Sequence, residues 1–86
     1  MTRLKRSDLQ KALEHLERSE WQAAHVIVQA DEESPLACWA HGIVHLMEGD
    51  LPNARYWYGQ AKRAFPAEAS AAAEIKALKG ALGAEK

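Results

Sequence analysis

His41, His45 and Glu48 are separated by four and then three residues, a spacing that puts all three on one face of a helix. Two imidazoles one turn apart, with a carboxylate beyond them, can bind Zn²⁺ or a similar ion. His25, on the preceding predicted helix, can add a ligand. The tract is not H-E-x-x-H, because Gly42 follows His41. The default for such a pair is structural. The imidazoles then lie between the third and fourth helices and hydrogen-bond Asn53, Tyr58 or backbone carbonyls, with Glu48 accepting from a histidine and helping to fix the turn. A metal site at His41, His45, Glu48 and His25 is the alternative.

Cys38 lies three residues before His41 and seven before His45, so a thiol–imidazole pair is conceivable. A thiolate nucleophile also needs an open cleft, which a domain of two helical hairpins hardly offers, and a small buried thiol is the default. The chain carries no Gly-rich phosphate loop, no paired acidic motif and no recognisable triad. We therefore expect no enzyme, no catalytic residue and no cofactor.

The elements that must position these residues are helices. Leu9, Ala12, Leu13 and Leu16 recur at helical spacing over a first helix from about Ser7 to Arg18, with Ser7 and Gln10 at capping-box spacing. Ser19 and Gln22 repeat that signal ahead of a second helix, about 20–30, with Trp21, Ala24, Ile27 and Val28 as its stripe. Asp31-Glu32-Glu33 ends it. Ser34-Pro35 then reads as an N-cap followed by Pro at the first helical position. The third helix runs from Pro35 to Met47 or Glu48 and is apolar or uncharged most of the way round, so it is central. Gly49 supplies a left-handed C-cap and Asp50 caps the fourth helix, which Pro66 closes after Phe65. Ile75, Leu78 and Leu82 are spaced to dock a last helix over 67–82, with fraying expected from Gly80 and Gly83.

The chain of 86 residues is short for more than one domain, and 48% hydrophobic with 27% charged residues is the balance of a soluble globular protein. Eleven basic against twelve acidic residues leave no electrostatic case for nucleic acid. Arg3, Lys5, Arg6 and Lys11 are a modest basic patch, read as a solvated face. One cysteine implies no oxidising compartment, and no apolar run reaches the roughly 20 residues needed to cross a bilayer. We expect a cytoplasmic protein with no membrane partner.

A shift of 30 residues places Leu9 on Trp39, Ala12 on Gly42, Leu13 on Ile43, His15 on His45, Leu16 on Leu46 and Ala24 on Ala54, as in two hairpins sharing one packing pattern. The small pairs Ala12 with Ala24 and Gly42 with Ala54 mark close helix approaches. The second hairpin resembles the tetratricopeptide repeat. In a frame from Pro35 to Glu68, Gly42, Ala54, Tyr58, Ala61 and Pro66 fall on that family's small, alanine, aromatic, second alanine and closing proline positions. Cys38 stands at the family's tryptophan position, with Trp39 one residue later, and His41 and His45 stand where it usually has Leu and an aromatic. The first hairpin is four residues short of the repeat. A narrower stretch, Trp21 to Ala61, resembles a group of small helical proteins that share an H-x-x-E-G-D-x-x-N-A-x-Y-W-Y tract. No activity carries over from that group.

The expected architecture is all-α, with about five helices arranged as two stacked hairpins (7–30 and 35–65) and a capping helix. The expected function is protein–protein interaction. Trp39, Ile43 and Leu46 are expected to be only partly covered by the first helix, and exposed apolar area there would mark a partner groove. Arg55 and Tyr56 supply an aromatic and arginine anchor pair. A second copy of the chain, giving a homodimer, is the first expected partner.

Overall fold

The computed structural model describes residues 3–68 and 70–84. Five helices follow in chain order: α1 (Arg6–Glu17), α2 (Trp21–Val28), α3 (Pro35–Glu48), α4 (Leu51–Gln60) and α5 (Ala71–Ala84). The described residues contain no strand, and no helix among them is long and apolar enough to cross a membrane.

Ser7 and Ser19 do not cap the helices that the spacing assigns to them. Lys5, not Ser7, is the N-cap of α1, and its N–H donates to the Asp8 carboxylate at 3.1 Å. Glu20, not Ser19, is the N-cap of α2. Ser34 does cap α3 and Pro35 does open it, but the Ser34 side chain makes no bond to the helix. Asp31 serves the turn instead. One of its oxygens accepts the N–H groups of Glu33 and Ser34 at 3.0 and 2.9 Å, and the other accepts that of Leu4 at 2.8 Å. Asp50 caps α4 as expected, accepting from Asn53.

Three of the helices stop in the same way. Ser19, Gly49 and Lys62 take φ of 62°, 90° and 58°. The next residue then donates backward across the turn: Glu20 to the His15 carbonyl (2.8 Å), Asp50 to His45 (2.9 Å) and Arg63 to Tyr58 (3.0 Å). A left-handed residue followed by such a bond satisfies carbonyls the helix end leaves free. The first two stops are 30 residues apart, so the internal repeat extends from the packing stripe into turn geometry. The third ends α4 at Gln60 rather than at Phe65. Phe65 instead folds back edge-on against Tyr58, with ring centroids 5.5 Å apart.

Helix α3 lies at the centre and packs on all four others. Every residue from Ala37 to Leu46 is buried. Its closest neighbour is α4: a Cβ added at Gly42 would come within 2.5 Å of the Tyr58 ring and 3.4 Å of the Ala54 carbonyl. Only a residue without a side chain permits that approach.

Helix α5 changes the expected surface. Glu74 reaches into the domain, and one of its oxygens accepts from Trp39 Nε1 at 3.0 Å and from the Tyr58 hydroxyl at 2.6 Å. Arg63 lies over the Trp39 ring, 3.4 Å from its centroid. Arg6 on α1 donates to the Leu82 carbonyl near the end of α5 at 3.0 Å. The helix therefore continues through Gly80 and Gly83 to Ala84, where fraying was expected. The expectation of a partly open Trp39, Ile43 and Leu46 face is overturned: all three are buried. A helix that docks along α1 and α3 encloses side chains that a two-hairpin stack leaves open.

Candidate functional site

The site is built on α2 and α3. Helix α2 buries Ala24 and Val28 against the core, and the residue between them in the turn, His25, stands half-buried beside α3. His41 and His45 come from α3, one turn apart and both buried. The three rings gather closely. The centroids of His25 and His41 are 4.9 Å apart, those of His25 and His45 5.5 Å, and those of His41 and His45 5.1 Å. One nitrogen from each ring lies within 4.8 Å of the other two.

The surroundings hold two of these rings firmly. His41 stacks on the Trp57 indole of α4, with centroids 3.9 Å apart and planes 10° from parallel. Trp57 thus forms one wall of the cluster. His45 Nδ1 lies 2.8 Å from Glu48 Oε1. An ionised carboxylate only accepts, so Nδ1 is the donor, and in the neutral ring Nε2 is then the nitrogen with the lone pair. A histidine backed by a carboxylate in this way is a common arrangement behind a metal ligand.

His41 is the unusual member. Burial, reinforced by the neighbouring His25 and His45, holds its imidazolium down to a pKa of about 3, so the ring is neutral throughout the physiological range. Its Nδ1 is buried and has no hydrogen-bond partner among the described residues. Leaving such an atom unpaired costs roughly 1–3 kcal/mol. The expected partners are occupied elsewhere: Tyr58 donates to Glu74, and Asn53 donates to Asp50.

Glu48 lies behind His45 rather than among the three nitrogens. It belongs to a second group of donors, His45, Glu48 and Asp50, in which the Asp50 carboxylate already accepts from Asn53 at 2.9 and 3.3 Å. Asn53 also holds the Asp50 carboxyl below its usual range.

Cys38 is buried, and that burial, with Asp31 and Glu32 nearby, pushes its thiol up. A thiol with a raised pKa and no exposure is not an activated nucleophile. Arg55 lies over the Phe65 ring at 4.4 Å, and Tyr56 is 56% exposed on α4. Apolar side chains are open elsewhere among the described residues. A cleft of about 460 Å³ is lined in part by Leu16, Met47, Ala71 and Ile75, and Val26, Leu51 and Tyr56 are exposed singly.

Spacing alone marks neither the Trp57 wall of the site nor the role of Asp31 in the turn before α3. Trp57 reads as core by its spacing, and nothing in that spacing says that its face lies against His41. Asp31 belongs to the polar run that ends the second helix, and the run alone does not single it out from Glu32 and Glu33. Its position three residues before Ser34 and four before Pro35 is the available signal, because a carboxylate there can accept from the turn that follows. Comparison with family models, curated proteins and solved structures gives no match for this chain.

Proposed function

We propose that this protein is a small helical metal-binding domain in which His25, His41 and His45 hold one borderline divalent cation such as Zn²⁺. One observation carries the reading: three imidazole nitrogens from two helices converge within 4.8 Å, beside a buried His41 whose Nδ1 lacks a partner. Neutral imidazoles suit zinc and its first-row neighbours. Bonds of about 2.0–2.1 Å in a tetrahedron set donors about 3.3 Å apart, so the cluster must contract by up to about 1.5 Å. The half-buried His25 is the member freest to move.

The test is a thermal melt of untagged, chelator-treated protein with and without Zn²⁺. Metal at a hundredfold excess over Kd adds about 2.7 kcal/mol, and a domain of this size gains roughly 4–8 °C for each kcal/mol. His45→Ala should abolish the gain. A melt that Zn²⁺ leaves unmoved would remove this reading.

A second reading is a cytoplasmic protein-interaction module of the tetratricopeptide type, with another copy of the chain as partner. The shared turn geometry of the two hairpins and the exposed Tyr56 beside Arg55 favour it. Native mass spectrometry of metal-free protein should then show a dimer that Tyr56→Ala weakens. A monomer at every concentration tested would count against it.

A further inference from the structure

The three nitrogens leave a coordination shell incomplete. Among the described residues no carboxylate or thiol lies with all three within the same 4.8 Å. The nearest acids are committed: Glu48 accepts from His45 Nδ1, and Asp50 accepts twice from Asn53. The wall opposite carries no lone pair, because Trp57 presents its ring face to His41. A first-row divalent ion takes at least four ligands, and a site with three protein ligands keeps its fourth position for solvent or solute. Of the three ligands, His25 alone is not buried, so the fourth position is reached from its side.

Charge decides what enters there. Three neutral imidazoles leave the ion's double positive charge intact, and the two carboxylates grouped with a ligand among the described residues, Glu48 and Asp50, gather at His45 and not at His25 or His41. A dication at a partly desolvated site attracts an anion more strongly than water does.

Building on the metal-binding reading, we propose that the site at His25, His41 and His45 is open, and that its fourth position takes a small monodentate anion from solution. The domain then binds such an anion only when loaded with metal, and the anion exchanges without disturbing the three protein ligands.

The test uses Co²⁺ as the metal and azide as the anion, on the full untagged chain. Co²⁺ added to chelator-treated protein should give visible d–d bands, and azide should shift them saturably. His25→Ala, shown to be folded by circular dichroism, should lose the azide-sensitive bands. Bands that azide leaves unchanged at every concentration would overturn the open position while leaving the metal site standing. Azide-sensitive bands that persist in His25→Ala would overturn it as well, by placing the ion on His45, Glu48 and Asp50. An absence of any cobalt band would overturn the metal-binding reading and this inference together.

Discussion

Asp31 shows how much one side chain can hold. It is fully buried, yet it is ionised because its two oxygens accept from Leu4, Glu33 and Ser34. Burial alone would raise its pKa; the hydrogen bonds from Ser34, Leu4 and Glu33 outweigh that and bring it from 3.8 to about 2. A carboxyl depressed on folding contributes stability that is present above its unfolded pKa and lost as pH falls through the folded one. The contribution here is on the order of 2 kcal/mol. Asp31→Asn should cost a similar amount near neutral pH, because one of its atoms becomes a donor facing a donor. The difference between wild type and variant, followed by urea unfolding, should shrink between about pH 4 and pH 2. A gap that stays constant over that range would show that the charge is not what matters. The sequence placed the histidines on one helix face from spacing alone. The burial of Asp31 is not legible in the same way, because nothing local says that Leu4, 27 residues earlier, donates to it.

Helix ends are where local chemistry and backbone strain meet. Gly49 is left-handed without penalty, whereas Ser19 and Lys62 adopt the same conformation with side chains attached. The left-handed region costs a residue with a Cβ roughly 1–2 kcal/mol, partly offset in a glycine variant by the greater freedom of its unfolded chain. Ser19→Gly should therefore stabilise the domain by about 0.5–1 kcal/mol, seen as a rise of several degrees in Tm. A fall in Tm would mean that the serine supports the α1–α2 turn in some other way. Gly49 was legible because glycine is the ordinary residue for such a stop. The stop at Lys62 was not, since Phe65 and Pro66 marked a more obvious boundary, and the bond from Arg63 to the Tyr58 carbonyl ends the helix earlier.

At the scale of the whole molecule, Glu74 fastens α5 to the second hairpin. It accepts from Trp39 on α3 and from Tyr58 on α4 through the same oxygen. Burial first, and then the bond to Glu74 and its charge, push the Tyr58 hydroxyl well above its usual range, so it stays a donor at any ordinary pH. Glu74→Ala leaves two donors unpaired and should cost about 2–4 kcal/mol, at 1–3 kcal/mol or less for each. Hydrogen exchange should quicken across α5, and Trp emission should shift to the red as Trp39 meets water. Glu74→Gln keeps an acceptor oxygen at that position and should recover most of the loss. Equal losses in the two variants would assign the effect to packing instead of hydrogen bonding.

Residue periodicity and turn chemistry sufficed for the all-α class, the five helices, the central place of α3 and the close approach of Gly42 to α4. These depend on interactions within a few residues along the chain or on steric limits that a glycine announces. Tertiary structure alone decided that α5 closes over Trp39, that Trp57 lies flat against His41, and that His25 joins the pair on α3. Each of those contacts joins different helices. Their geometry follows from how whole faces pack, and no spacing within a single helix records which partner will cover it.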